Sequence, residues 1–271
     1  MVHRQRVAIL VAARRDPFFE SLKKRFHDEI EILIENFQFD LFLVEGKELP
    51  SFERRIRDYV EKIRYTKLWP ILRIYDSVVF RLKKKLPDVS ILSSTPRVIQ
   101  ISTKDDLRHL ARKMYAAFQY CINEEYDFVV RTTLSSIINL NALIRILERV
   151  EENYEFYAGR ELKLPGASSF SSGAFTVYNK SALQYLLDNR DKHQYGLLDD
   201  VAIGRILQGE VPFHPLKSLD LLETGQISVI PKSVVQETIH FRCKSAALPR
   251  KDIEIMSEVT EILLGAGIQY A

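Results

Sequence analysis

Two short stretches place chemically capable side chains at regular spacing. In E-T-I-H-F-R-C-K-S, residues 237–245, His240, Arg242 and Lys244 recur at every second position. On an extended strand that period puts all three on one face. Three cation-capable groups on one face make either an anion site or a solvated strand edge. In Y-G-L-L-D-D-V-A-I-G-R-I-L-Q-G, residues 195–209, Asp199 and Asp200 stand at the start of a short helix. There the backbone dipole favours a charged carboxylate. A third stretch, Y-D-F-V-V-R-T-T-L-S-S-I-I-N-L over residues 126–140, opens like a buried strand built to present an acid. No acid follows: the chain offers Arg131 and then Thr132, Thr133, Leu134, Ser135 and Ser136.

The elements that would carry these groups alternate along the chain. R-V-A-I-L-V-A-A, residues 6–13, is a continuous apolar run, the mark of a strand covered on both faces. Asp16-Pro17 then reads as a helix start. F-D-L-F-L-V-E-G (39–46) and R-V-I-Q-I-S-T (97–103) read as further strands. Between Phe52 and Leu86 the pattern is helical and basic, broken at Pro70. Leu107, Leu110, Met114, Ala117, Phe118 and Cys121 form one helical stripe, and N-L-N-A-L-I-R-I-L-E-R-V is a second amphipathic helix. F-S-S-G-A-F-T-V-Y-N-K-S-A-L-Q-Y-L-L-D-N reads as a Ser/Gly turn, a strand and a helix capped near Asn179.

Such alternation predicts a layered α/β fold with a mostly parallel sheet, whose ligands sit at the carboxyl ends of the strands. That places Ala12, Ala13, Arg14, Glu45, Thr103 and the segment from Arg131 to Ser135 around one crevice. Neither a G-x-G-x-x-G nor a phosphate-loop motif follows the first strand, which disfavours dinucleotide-binding and Walker-type enzymes.

Bulk properties narrow the class. With 271 residues, 46% of them hydrophobic, the chain can bury one substantial core. Lys and Arg total 39 against 36 Asp and Glu, a net charge of +3 that by itself implies no nucleic-acid partner. The clusters R-R-I-R and R-L-K-K-K read as solvated helix faces. Two cysteines, Cys121 and Cys243, give no disulfide framework, and a reducing, cytoplasmic setting is the simpler expectation. No window of about 18 apolar residues occurs, so membrane contact is expected to be peripheral at most.

The order and spacing of several motifs resemble the GT-A glycosyltransferases, and among them glycosyltransferase family 31, the β-1,3-galactosyltransferase and Fringe group. D-D-L-R-H-L-A-R-K-M, residues 105–114, matches that family's Asp-x-Tyr-x-Asn-Leu-Thr-x-Lys-Thr helix start at Asp105, Leu110 and Lys113. F-V-V-R-T-T-L-S-S-I-I-N falls in register with its Phe-Val-Leu-Lys-Thr-Asp-Asp-Asp strand end, but Thr133, Leu134 and Ser135 replace the three acids. Tyr157 and Gly159, the F-S-S-G-A-F-T-V-Y-N-K-S-A-L stretch and L-L-D-D-V-A-I-G-R-I-L resemble three later motifs. The resemblance spans roughly Asp105 to His240. It implies a GT-A fold, a mixed and mostly parallel central sheet flanked by helices, in one domain over 1–271. Within it, 1–140 would be the nucleotide-binding half, 141–248 the acceptor and catalytic half, and 249–271 a C-terminal helix.

The resemblance also implies a chemistry. A nucleotide-sugar transferase must stabilise a departing diphosphate, which the metal-dependent members do with a cation held by the acids. A carboxylate about 5 Å from a phosphate charge, with no metal between, costs roughly 3 kcal/mol at an effective dielectric near 20. A site without its metal is therefore better off without its acids, and needs fixed cations instead. Arg242 and Lys244 are the first candidates for the diphosphate, followed by Arg131, Lys113 and His240, with hydroxyls from Thr132, Thr133, Ser135 and Ser136. Ala12, Ala13 and Arg14 would receive nucleobase and ribose. Ser171, Ser172 and Gly173 would line the donor sugar or acceptor. Asp200, with Asp199 before it, is the expected general base, so that displacement inverts the anomeric centre. The expected partners are a nucleotide-sugar co-substrate, UDP by likeness, and a glycan or saccharide acceptor, with no metal cofactor and no nucleic acid.

Three alternatives stay open in the sequence. One is a metal-dependent transferase using Asp199, Asp200 and His240, another a catalytically inactive sugar- or nucleotide-binding module, and the third a basic nucleic-acid-binding protein. Trp69 and Tyr75 could stack on an acceptor sugar or pack in a helical insertion. The C-terminal I-E-I-M-S-E-V-T-E-I-L-L-G-A-G-I-Q-Y-A is amphipathic and is expected to pack on the domain rather than pair with a second copy or touch a membrane.

Overall fold

The computed structural model describes residues 4–13, 32–34, 37–47, 90–95, 97–104, 109–151, 154–163, 169–195, 197–245 and 251–270. The expected helix start at Asp16-Pro17, the basic helical stretch from Phe52 to Leu86 with Trp69 and Tyr75, and the positions Arg14 and Asp105 lie outside the described residues.

The centre of the main sheet is parallel, as the apolar runs predict. β1 (Gln5–Ala12) lies between β3 (Phe37–Lys47) and β6 (Phe128–Thr133), with β5 (Val98–Lys104) beyond β3. Register puts Ala12 level with Val44 on one side and Thr133 on the other, so the carboxyl ends of these strands form one edge. β2 (Ile32–Ile34) and β4 (Ile91–Thr95) add antiparallel pairs to β3 and β5.

Past β6 the direction reverses. β9 (Phe170–Asn179) runs antiparallel to β6, β8 (Tyr157–Leu162) antiparallel to β9, and β10 (Phe213–Pro215) parallel to β8. Among the described residues nine strands make this sheet. A second, three-stranded sheet packs β12 (His240–Cys243) between β11 (Ser218–Leu221) and β7 (Ser136–Ile138).

Alternate side chains of the main sheet feed two separate cores. Val7, Ile9, Val11, Phe128, Val130, Phe175 and Val177 point to one, shared with the small sheet, α2 (Leu140–Leu147) and α6 (Asp252–Gly265). Ala8, Leu10, Val129, Tyr157 and Tyr178 point to the other, shared with α1 (Leu110–Asn123), α3 (Lys180–Asp188) and α4 (Asp199–Leu207). A strand buried on both faces has no polar side to show, which is why these segments read as unbroken apolar runs.

Local signals set several boundaries. The Asn139 side chain accepts from the Ala142 N–H and starts α2, and that of Asn179 accepts from the Ala182 N–H and starts α3, each at 3.0 Å. The stripe expected from Leu107 is a helix from Leu110, with Met114, Ala117, Phe118 and Cys121 in the core. Ile255, Met256, Val259 and Leu263 pack the C-terminal helix into the first core.

One reading is corrected. Ser171, Ser172 and Gly173 do not form a turn ahead of the strand but lie inside β9. The pairing nevertheless breaks there. Gly159 of β8 faces Thr176 and Glu161 faces Ser171, so β9 carries a bulge across these positions.

Candidate functional site

The bulge and the head of α4 meet on the second-core face, just past the carboxyl end of β6. The bulged Gly173 gives its N–H to Asp200 Oδ2 at 3.1 Å, while Asp200 Oδ1 accepts the Val201 N–H at 2.9 Å. Asp199, beside it, forms an ion pair with Arg131 of β6. Arg131 is 2% exposed and crosses under Gly173, where an added Cβ would stand 2.8 Å from its Nη2. Only a residue without a side chain lets the guanidinium pass.

The two adjacent acids therefore differ. Burial opposes the charge on Arg131, but Asp199, then Tyr178 and Asp200, outweigh it and hold the guanidinium above its ordinary value. Asp200 is pushed above the usual aspartate value by burial and by the charge of Asp199, with the Gly173 N–H, Arg131 and the Val201 N–H pulling the other way. One acid is neutralised by a buried cation; the other is left as a carboxylate with heightened proton affinity.

His193 adjoins this cluster and was not foreseen in the sequence. Its Nδ1 lies 3.0 Å from the Tyr115 hydroxyl, and burial pulls it down to about 4, so it is neutral at ordinary pH. Burial likewise raises Tyr115. A histidine in D-K-H-Q-Y carries no spacing signal that would have singled it out.

On the opposite face lies a second cluster, centred on the small sheet. Asp220, Arg242 and Ser136 are neighbours across three strands. His240, fully buried and stacked on Phe175 at 4.8 Å, approaches the Ser218 hydroxyl with Nδ1 at 2.6 Å and the Ser136 hydroxyl with Nε2 at 3.0 Å. Burial, with the charges of Arg160 and Arg242, takes it down to about 3. Ser136 in turn meets Thr133 at 3.0 Å, tying this cluster to the end of β6. Arg160 of β8 forms an ion pair with Asp220. Neither residue stood out in the sequence, although Arg160 follows the glycine of Y-A-G-R.

The remaining sequence candidates separate. Thr132 gives its hydroxyl to the Ala174 carbonyl, and Ser135 to Asp252 Oδ2 at 2.6 Å. The Ser171 hydroxyl serves the Phe175 carbonyl, and the Ser172 oxygen accepts from the Ala174 N–H, both within the bulge. Lys113, 2% exposed, donates to the Ala13 carbonyl at 2.5 Å and so braces the chain leaving β1, next to Ala12. Arg242 is half-buried on β12, while Lys244 is exposed just beyond the strand's end. The period-two face thus grades from sealed to open.

Among the described residues no three His, Cys, Asp or Glu side chains group as metal ligands. Asp199, Asp200 and His240 are divided between the two faces of the sheet, which does not fit a shared divalent cation. Nor is any described helix long and apolar enough to cross a membrane.

No protein family description matches this chain, and no curated protein matches it. Among solved structures, the glycosyltransferase GlyE of Streptococcus pneumoniae TIGR4 aligns at 11% identity with a TM-score of 0.36, covering 79% of this chain and 45% of that one. The chain thus spans less than half the length of that structure.

Proposed function

We propose that the protein is a glycosyltransferase that moves a sugar from a nucleotide-diphosphate donor, a UDP-sugar first among candidates, to a glycan hydroxyl. The observation that carries the reading is Asp200. It stands at the head of α4 beside the strand ends, is oriented by two backbone N–H groups, and has raised proton affinity. A base needs that combination of fixed geometry and pKa moved toward the working range.

In this mechanism Asp200 takes the proton of the acceptor hydroxyl as its oxygen attacks the anomeric carbon. The bond from that carbon to the diphosphate oxygen breaks on the opposite side, so the configuration inverts. Asp199 stays paired with Arg131. Arg242 and Lys244, on the small-sheet side of the strand ends, meet the charge of the leaving diphosphate, which would lie across those ends from Asp200, with Ala12 and Ala13 at the end of β1 receiving the nucleoside. In metal-dependent transferases a divalent cation supplies this charge clamp. Here Thr133, Leu134 and Ser135 stand where its acids would be, so no step is routed through one.

The test is a panel of nucleotide-sugars scored for thermal stabilisation and donor hydrolysis, each with and without EDTA. A UDP-sugar that is bound and turned over equally in both conditions is the expected result. Turnover abolished by EDTA and restored by manganese would sink the metal-independent mechanism. A panel with neither binding nor turnover would sink the transferase reading.

A further inference from the structure

Arg160 has no part in the mechanism above. It lies between Gly159 and Glu161, opposite the bulge of β9, where the ladder is broken. Its chain position is fixed by Gly159, whose added Cβ would collide with Ser171 Oγ and the Phe175 carbonyl, and whose own carbonyl accepts from Leu216. From there the guanidinium reaches across to Asp220 of the small sheet. Asp220 is the register neighbour of Arg242, which is the neighbour of Ser136. Asp220 is thus ion-paired with Arg160 of β8 and stands in register beside Arg242 of β12.

The exposures show which partner can leave. The Arg160 side chain is 18% exposed and that of Asp220 38%, whereas Arg131 in the other ion pair is 2% exposed. A partly solvated carboxylate holds its arginine weakly. An anion carrying more charge, with several oxygens able to accept a forked donor, would compete with it.

We infer that Arg160 is a phosphoryl-binding residue held in readiness by Asp220, and that an incoming diphosphate takes over its guanidinium beside Arg242. The inference rests on the transferase reading for its ligand class, since the diphosphate of a nucleotide-sugar is the anion in question. Free inorganic phosphate shares the chemistry. Asp220 then acts as a placeholder: it pairs with Arg160 and lowers anion affinity by the same interaction.

The experiment is calorimetric titration of the full chain with inorganic phosphate, inorganic pyrophosphate and UDP. It is run on the parent, Arg160→Gln, Arg160→Lys and Asp220→Asn. Pyrophosphate and UDP are expected to bind the parent more tightly than phosphate. Arg160→Gln should weaken both by about tenfold, the loss of one charge-assisted pair. Arg160→Lys should fall between, and Asp220→Asn should tighten both.

Opposite signs for Arg160 and Asp220 distinguish a placeholder from a plain structural bridge, in which both substitutions would act alike. Unchanged affinity in Arg160→Gln, weaker binding in Asp220→Asn, or no binding of either diphosphate to the parent overturns the inference. Phosphate binding as tightly as pyrophosphate overturns the diphosphate assignment. If Arg160→Gln does not fold, Asp220→Asn decides alone: tightening supports the inference, and unchanged or weaker binding overturns it. Diphosphate binding that follows this pattern without turnover of any nucleotide-sugar leaves the anion site standing and removes the transferase reading.

Discussion

Two of the arginine–aspartate pairs, one on each face of the sheet, are built differently. Arg131–Asp199 is closed in: the arginine is 2% exposed, lies under a glycine, and meets an acid fixed at a helix start. Arg160–Asp220 opens to solvent and joins two strands of different sheets. Breaking a buried pair strands an uncompensated charge, whereas breaking an exposed one exchanges a weak contact for water. The first pair therefore suits a fixed frame around Asp200. The second suits exchange of partners.

Substitutions can break this contrast, beginning with the largest effect. Asp200→Asn is expected to lower transfer by about 10²–10⁴-fold while nucleotide binding, read by calorimetry, is retained. The parent's rate should fall as pH drops through the raised Asp200 value, an acid limb above that of an ordinary aspartate. Full transfer by Asp200→Asn would remove it as the base. Next, Asp199→Asn leaves Arg131 charged, buried and unpaired. Denaturant unfolding should show a loss of about 3–5 kcal/mol, and the double variant Arg131→Met/Asp199→Asn should lose less than the sum of the two singles.

The small-sheet face has its own sealed member in His240. Its folded value of about 3 lies below the ordinary 6.5, so the unfolded chain takes up the proton first. Stability should thus fall as pH drops from about 6.5 toward 3, by up to about 1.4 kcal/mol per pH unit relative to His240→Gln. Equal acid sensitivity of parent and variant would contradict this. Gly173→Ala, set against the immobile Arg131, should cost about 1–3 kcal/mol and slow transfer together. Smallest of all, Asp220→Asn should change unfolding stability by less than about 1 kcal/mol. A loss as large as that of Asp199→Asn would erase the difference between the faces.

What could be read from the sequence follows the same division. β1 and the apolar stretches of β3 and β6 were legible because burial on both faces writes an unbroken apolar run, and β5 because its apolar residues alternate. The start of α4 was legible because two acids precede an apolar helix. β8, β7 and β11 escaped notice, since three to six residues of mixed pattern carry no period of their own, whereas β12 was legible from its alternation. The S-S-G stretch read as a turn because its composition suits one; the ladder on either side makes it a bulge within β9. Side chains meeting across more than a hundred residues left no local trace. Arg131 was visible as a cation near the strand end, but its pairing with Asp199 depends on the bend that brings α4 over β9. The hydroxyls of Thr132, Ser135 and Ser171 had the right chemistry, yet each is engaged inside the protein.

The bond from Ser135 to Asp252 has a consequence for how the chain is made. The turn after β6 is held by a residue 117 positions further on, which also accepts the Ser245 N–H behind β12. At about 5–20 residues per second, a ribosome delivers that brace several seconds after the strand it supports. In the interval the parallel strands can pair, but the turn has no buried anchor. A nascent chain stalled before Asp252 should therefore carry the central sheet without a finished strand end. The end of β6 would then be finished only once Asp252 has been made.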